Sequence, residues 1–126
     1  MVSFVIVSHS DLLAQGVVDL TKMSAPYARI VGVGGLEDGT YGTSFDKIQT
    51  AIEGIYTTDG VLVLVDIGSA VMMTKKVLES NVYKNVRMVD CPLVEGAFVG
   101  TIMASSGSSL DEIETKLKNV KNSRKF

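Results

Sequence analysis

The strongest constraint on the fold is the alternation of short apolar runs with segments of helical periodicity along the 126-residue chain. Val61–Val65 is the most hydrophobic run, and its lack of polar alternation is typical of a parallel strand buried on both faces. Three further runs, Phe4–Val7, Ala28–Val33 and Val86–Val89, are rich in β-branched residues and have the length of strands. Strands that alternate with helices favour right-handed crossovers and a parallel sheet.

Five segments between and after these strands have helical spacing or capping signals. In chain order they are about Asp11 to Met23 after Ser10, a helix capped by Thr43 or Ser44, about Gly68 to Ser80, about Val94 to Ser105, and a helix opened by the Ser109–Glu112 capping box. The predicted inner face of the first helix consists of Leu12, Leu13, Ala14, Val17 and Leu20. The pattern predicts a doubly wound α/β fold. We expect one domain, residues 1–126, with a mainly parallel four-stranded sheet in the order 2-1-3-4 and helices on both faces.

Charge is distributed unevenly along the chain. The net charge of −2 comes from 12 basic and 14 acidic side chains, but the basic tail, residues 116–126, carries five of the cations and no acid. Residues 1–115 therefore hold 7 basic and 14 acidic groups, a net −7. Such an acidic body predicts no nucleic-acid binding. We interpret the basic tail as a solvated helix end, although it could also contact an anion.

The cysteine count and hydropathy restrict the compartment. The single cysteine, Cys91, excludes an intrachain disulfide and suits a reducing compartment. One histidine and one cysteine are too few to build a zinc site without carboxylates, so we expect no metal. The N-terminus lacks the features of a signal peptide, and no run approaches the ~18 apolar residues of a membrane span. We expect a cytoplasmic protein with no membrane contact.

The only histidine, His9, lies directly after the first strand and before the first helix. In parallel sheets, ligands bind at the carboxyl ends of the strands. The N-terminus of the adjacent helix favours a neutral imidazole and a bound anion. A neutral imidazole can attack a phosphoryl group, whose oxygens could accept hydrogen bonds from Ser8 and Ser10. The alternative is a loop histidine that is hydrogen-bonded to a neighbour and has no chemical role.

Asp66 ends the third strand and is the candidate partner of His9. If strands one and three are neighbours, its carboxylate can accept from His9 Nδ1–H, fix the tautomer and leave Nε2 free to attack. Gly68 and Ser69 open the next helix and could hold phosphoryl oxygens through N–H groups and a hydroxyl. A capping or turn carboxylate is the alternative for Asp66, and a plain N-cap is the simpler role for Ser69.

Three segments together resemble one known family. Val5–Ser10, Val65–Ala70 and Pro92–Gly96 are similar to segments of the DhaM phosphotransfer subunits of bacterial dihydroxyacetone kinase. That family is itself similar to the IIA domains of mannose-type sugar phosphotransferase systems. The resemblance extends from residue 2 to about residue 118, and the family's phosphorylated histidine matches His9.

The resemblance implies a phosphotransferase with protein partners. By it, His9 accepts a phosphoryl group from the phosphocarrier protein HPr and passes it to ADP bound to a second subunit, DhaL. DhaL in turn phosphorylates dihydroxyacetone bound to a third subunit, DhaK. The resemblance also implies a homodimer. We expect no cofactor on this chain, with magnesium and ADP or ATP carried by the partner.

Three other functions remain open. The chain could be a IIA domain that passes phosphate to a sugar-transporter IIB domain, although the Pro92–Gly96 segment argues against this by resemblance. It could be a response-regulator receiver with Asp66 as phosphoacceptor. That class needs an acidic pair after strand one, where only Asp11 is acidic, and a fifth strand followed by lysine. Finally, it could be a non-enzymatic α/β binding module in which His9 is incidental.

Overall fold

The four strands form one parallel sheet in the order β2-β1-β3-β4 in a computed structural model that describes every residue, Met1–Phe126. The elements are β1 (Ser3–Ser8), α1 (Asp11–Thr21), β2 (Arg29–Gly34), α2 (Phe45–Ile55), β3 (Val61–Val65), α3 (Gly68–Glu79), β4 (Val86–Met88), α4 (Leu93–Ser105), α5 (Leu110–Lys118) and a final 3₁₀ turn (Val120–Asn122). The predicted strand order, the parallel sheet and the helices are confirmed. Element ends differ from the prediction by one or two residues, as helix and strand ends commonly do.

The two central strands carry the hydrophobic core on both faces of the sheet. Residues 61–64 of β3 are fully buried, as the run without polar alternation predicted. Phe4 and Leu62 point into a core formed with α1, α4 and α5, whereas Val5 and Val63 point into a second core formed with α2 and α3. Because side chains alternate along a strand, one sheet can serve both layers.

The packing face of α1 differs from the prediction. Ala14 and Val17 are buried as expected, but Leu12, Leu13 and Leu20 are 87%, 45% and 39% exposed. The buried residues of α1 are Ala14, Val17, Val18 and Thr21. These positions follow i, i+3, i+4, i+7 spacing, so they lie on one face of the helix. The three leucines lie outside that face.

Caps and one close backbone approach fix the loops at the carboxyl ends of the strands. Ser10 caps α1 by accepting from Leu13 N, and Ser44, not Thr43, caps α2 by accepting from Lys47 N. A Cβ at Gly34, the last residue of β2, would lie 2.4 Å from the Ser10 carbonyl oxygen. Glycine therefore allows β2 to end directly against the start of α1. None of the helices is both long and apolar enough to cross a bilayer.

Candidate functional site

His9 and Asp66 meet at the carboxyl edge of the sheet because β1 and β3 are neighbours. Val7 pairs with Val65, so the residues that follow these two positions leave the sheet side by side. His9 Nδ1 lies 2.9 Å from Asp66 Oδ1. The His9 side chain is 25% exposed and that of Asp66 is 11% exposed. The structure thus brings together the two residues that the sequence pattern paired.

Four donors surround the Asp66 carboxylate. Oδ1 accepts from His9 Nδ1 and from Ile67 N, while Oδ2 accepts from His9 N and the Ser8 hydroxyl. Partial burial raises the pKa of Asp66, but the hydrogen bonds from these groups outweigh it and hold the pKa below its usual value. An ionised carboxylate only accepts, so the His9 proton belongs on Nδ1 and the lone pair on Nε2.

The exposed side of the imidazole faces the start of α3. Nε2 is hydrogen-bonded to the Ser69 hydroxyl, which must donate when Nδ1 carries the ring proton. The N-cap of α3 is Ile67, which makes no side-chain cap, and Ser69 is the second residue of the helix. Ser69 is therefore not an N-cap, contrary to that interpretation of the sequence. The N–H groups of Gly68 and Ser69 begin the helix without a capping side chain, a setting that suits an anion.

Ser8 occupies a different place from the one expected for a phosphoryl ligand. It is fully buried, its hydroxyl donates to Asp66 Oδ2 at 2.9 Å, and its oxygen accepts from Ser10 N at 3.0 Å. The single hydroxyl proton is thus committed to the carboxylate, away from solvent. Ser8 supports Asp66, whereas the half-buried Ser10 stays at the surface as the α1 cap.

A glycine-rich loop forms the opposite wall of the site. Residues 35–42 follow β2, and Gly42 N donates to the His9 carbonyl oxygen at 3.0 Å. With the start of α1 the loop encloses a cleft of about 510 Å³, lined in part by His9, Leu12, Tyr41 and Lys47. No local signal in the sequence indicates this contact with His9, because the contact depends on β2 lying beside β1.

Exposed apolar side chains surround His9 at the same edge. Leu12, Tyr41, Ile67 and Met72 are 66–87% exposed, although each is large and apolar. Exposed apolar residues that cluster around reactive groups are typical of surfaces where proteins dock. No group of three or more His, Cys, Asp or Glu side chains in the chain is arranged to hold a metal ion.

Comparison with known proteins finds one family and several relatives. Residues 3–114 match the family EIIA-man, described as "PTS system fructose IIA component". The chain is 37% identical over 116 residues to "PEP-dependent dihydroxyacetone kinase 1, phosphoryl donor subunit DhaM" of Listeria innocua, covering 92% of each protein. It is 35% identical to "PTS-dependent dihydroxyacetone kinase, phosphotransferase subunit DhaM" of Lactococcus lactis, covering 92% of this chain and 93% of that protein.

Other relatives are much longer than this chain. The identity to "PEP-dependent dihydroxyacetone kinase, phosphoryl donor subunit DhaM" of Escherichia coli is 36% over 120 residues, which span 90% of this chain but 25% of that protein. The chain therefore spans about a quarter of the length of that relative.

Solved structures share the fold. A crystal structure of a protein of unknown function matches with a TM-score of 0.85 and 28% identity, covering 94% of this chain and 93% of that one. The mannose/sorbose-specific IIA subunit of the phosphotransferase system from Enterococcus faecalis matches with a TM-score of 0.62 and 20% identity, covering 98% and 93%. At that identity the second match concerns the fold alone.

Proposed function

Because this chain belongs to the EIIA-man family, within its group of DhaM subunits, we propose that it is the phosphocarrier of a phosphoenolpyruvate-dependent dihydroxyacetone kinase. In this proposal His9 accepts a phosphoryl group from phospho-HPr and passes it to ADP bound to DhaL. The names of the relatives, phosphoryl donor or phosphotransferase subunit, support a phosphotransfer role.

One observation carries the proposal: the two ring nitrogens of His9 have opposite surroundings. Nδ1 is held 2.9 Å from the Asp66 carboxylate, whereas Nε2 faces Ser69 and the uncapped start of α3. A carboxylate on Nδ1–H orients the ring and stabilises the cation that forms when Nε2 takes up a phosphoryl group. A loop histidine without a chemical role would not require different surroundings for its two ring nitrogens.

The first transfer exchanges one phosphorus–nitrogen bond for another. The Nε2 lone pair of His9 attacks the phosphorus of phospho-HPr, the bond to the donor imidazole breaks, and the donor leaves with its electron pair. His9 keeps its Nδ1 proton against Asp66 throughout. The transition state resembles metaphosphate, so the site contributes mainly positioning and charge stabilisation.

The second transfer runs through the same atoms in the opposite sense. A β-phosphate oxygen of ADP attacks the phosphorus on Nε2, the phosphorus–nitrogen bond breaks, and ATP forms on DhaL while His9 returns to its neutral state. The Ser69 hydroxyl must already have turned away from Nε2 in the first transfer, because the Nε2 lone pair forms the new bond. From then on this hydroxyl can donate to a phosphoryl oxygen. The N–H groups of Gly68 and Ser69 and the hydroxyl of Ser10 are the other proposed donors.

We also propose that the chain works as a cytoplasmic homodimer, as the resemblance implies. Support for self-association comes from α4, in which Glu95 is the only charged residue and which exposes Val94 and Ile102 at 41% and 36%. The lone thiol of Cys91 suits a reducing compartment. Sedimentation equilibrium measures the assembly directly, since the chain has a mass of 13.5 kDa and a dimer has twice that value.

The proposed function is tested by intact mass after incubation with phosphoenolpyruvate, enzyme I and HPr. We expect the wild type to gain one phosphoryl group that is lost in acid and kept in alkali, as a phosphoimidazole is. His9→Ala should gain none. Absence of a gain in the wild type, with enzyme I and HPr shown to be active, would overturn the phosphotransfer role and favour a binding module.

The acceptor is identified with the phosphorylated chain in a second step. DhaL loaded with ADP and a sugar-transporter IIB domain are offered together as competing acceptors. We expect the phosphoryl group to be transferred from the chain to the ADP on DhaL and to be recovered as ATP. Transfer to the IIB domain alone would assign the chain to sugar transport.

A further inference from the structure

The basic tail ends at the same edge of the sheet as His9. Leu110 at the start of α5 packs against Gly60, just before β3, so α5 begins at the amino edge of the sheet. At the other end, Lys125 Nζ lies 3.2 Å from Glu95 Oε2. Glu95 is in the first turn of α4, which starts where β4 ends. α5 and the residues after it therefore lead back to the carboxyl edge.

The cations of the basic tail are exposed and almost free of partners. Lys125 pairs with Glu95, but both side chains are largely in solvent, at 75% and 42% exposure, so the pair adds little stability. No carboxylate lies within 4.0 Å of the other four, which are Lys116, Lys118, Lys121 and Arg124. The buried Val120 anchors the 3₁₀ turn beneath them. Four of the five positive charges of the basic tail therefore face solvent without an ion-pair partner.

The opposite side of the same edge is acidic. Asp11 and Glu37 are exposed and line the cleft beside His9, and Asp38 is exposed next to Glu37. The one cation that lines the cleft, Lys47, is half-buried, and residues 1–115 have a net charge of −7. A partner that presents negative charge is therefore repelled by most of this chain and attracted by the basic tail.

The two proposed transfers differ in how much negative charge meets at His9. In the transfer from HPr a single phosphoryl group lies between two imidazoles. In the transfer to ADP the phosphoryl group on His9 faces the two phosphates of the nucleotide, so repulsion between the reacting partners is greater. A fixed positive segment at this edge is needed most when the nucleotide-loaded subunit docks.

We propose that the basic tail is a docking element for an acidic surface of the phosphoryl-accepting, nucleotide-loaded subunit. This inference rests on the proposed function. In this proposal the basic tail steers the acceptor subunit toward phospho-His9. Transfer from the donor to His9 does not depend on the basic tail.

The test compares two double variants of equal charge. Lys121→Gln with Arg124→Gln removes two unpaired cations from the basic tail. Lys22→Gln with Lys84→Gln removes two exposed cations at the amino edge, after α1 and before β4. Each variant changes the net charge from −2 to −4. Each is phosphorylated by HPr, and ATP formation is then followed after mixing with ADP-loaded DhaL.

We expect the tail variant to transfer to DhaL about tenfold more slowly than wild type at low salt, with the deficit shrinking as salt rises. Phosphorylation by HPr should be unchanged, which also shows that the variant is folded. The amino-edge variant should match wild type in both steps. Equal rates in the two variants, or a matching loss in the HPr step, would overturn the inference. If the wild type takes no phosphoryl group from HPr, the proposed function fails first and the docking role fails with it.

Discussion

At the residue scale, β1 carries two fully buried serines of which only one contacts the candidate site. Ser8 bridges Asp66 Oδ2 and Ser10 N, whereas Ser3, at the other end of the strand, donates to the Ile55 carbonyl oxygen. The pair separates a structural effect from a positioning effect, because both hydroxyls are buried and hydrogen-bonded.

Ser8→Ala should slow phosphorylation of His9 by about ten- to a hundredfold, since loss of a donor lets the Asp66 carboxylate rotate away from Nδ1. It should also lower the free energy of unfolding by about 1–3 kcal/mol. Ser3→Ala should lose similar stability and keep the wild-type rate. The measurements are the initial rate with phospho-HPr and urea unfolding. Equal phosphorylation rates in the two variants would show that Ser8 does not position Asp66.

The thiol of Cys91 should be unreactive in the folded chain. Burial, followed by the nearby charges of Asp90 and Glu95, raises the pKa of Cys91 to about 11. Alkylation by iodoacetamide at pH 8 should therefore be at least about tenfold slower than for an unperturbed thiol. The same chain in urea is the control and should react at the ordinary rate. Equal rates in the folded and unfolded chain would contradict this account.

At the element scale, α1 shows that hydrophobic periodicity does not suffice to predict which face of a helix packs. The sequence placed its start correctly, because Ser10 is a local capping signal. It placed the inner face only in part. Ala14 and Val17 are buried as predicted, but Val18 and Thr21 complete the packed face where the sequence pattern offered leucines. The face that packs depends on how closely the helix approaches the sheet and α4, which is a tertiary property.

The depth at which α4 packs depends on a glycine. A Cβ at Gly100 would lie 2.8 Å from Cε1 of the fully buried Phe4. Overpacking should cost about 1–3 kcal/mol and the gain in helix propensity should offset about 1 kcal/mol of it, so Gly100→Ala should lower the free energy of unfolding by up to about 2 kcal/mol. Gly16→Ala, in α1 with no atom within 4 Å of the added Cβ, should raise it by about 0.5–1 kcal/mol. Chemical denaturation of both variants checks the contrast, and a stabilised Gly100→Ala would show that α4 can move outward freely.

At the scale of the whole molecule, stability should fall in acid. Hydrogen bonds outweigh burial and lower the pKa of Asp66, and the Ser109 N–H lowers the pKa of Glu112 in the capping box. The folded chain therefore releases these protons at a lower pH than the unfolded chain, whose aspartates titrate near about 3.9. The contribution of these groups to the free energy of unfolding is fully present above their pKa values in the unfolded chain. It is lost as the pH falls through their pKa values in the folded chain.

Asp66→Asn tests the contribution of this carboxylate to the pH dependence. The variant should be less stable than wild type at pH 7 and should lose less stability between about pH 5 and pH 2. Urea unfolding across that range measures both quantities. Parallel pH profiles for the two proteins would show that the Asp66 carboxylate is not a source of acid sensitivity.

The sequence by itself determined the class of fold and the candidate site residues. The non-alternating run of β3, the capping residues Ser10 and Ser109, and the order of elements are local features, because propensity, caps and turns act over a few residues. The same local logic singled out His9 and Asp66, since residues that follow parallel strands lie at one edge of the sheet.

Tertiary structure alone decided how those residues are used. The adjacency of β1 and β3 gives Asp66 its place on Nδ1, and burial commits Ser8 to the carboxylate. The position of α3 places Ser69 against Nε2 and not at the N-cap, and β2 brings the loop 35–42 against His9. These contacts join residues up to 60 positions apart. Only the packing of the strands and helices fixes such distances, because no local signal in the chain encodes them.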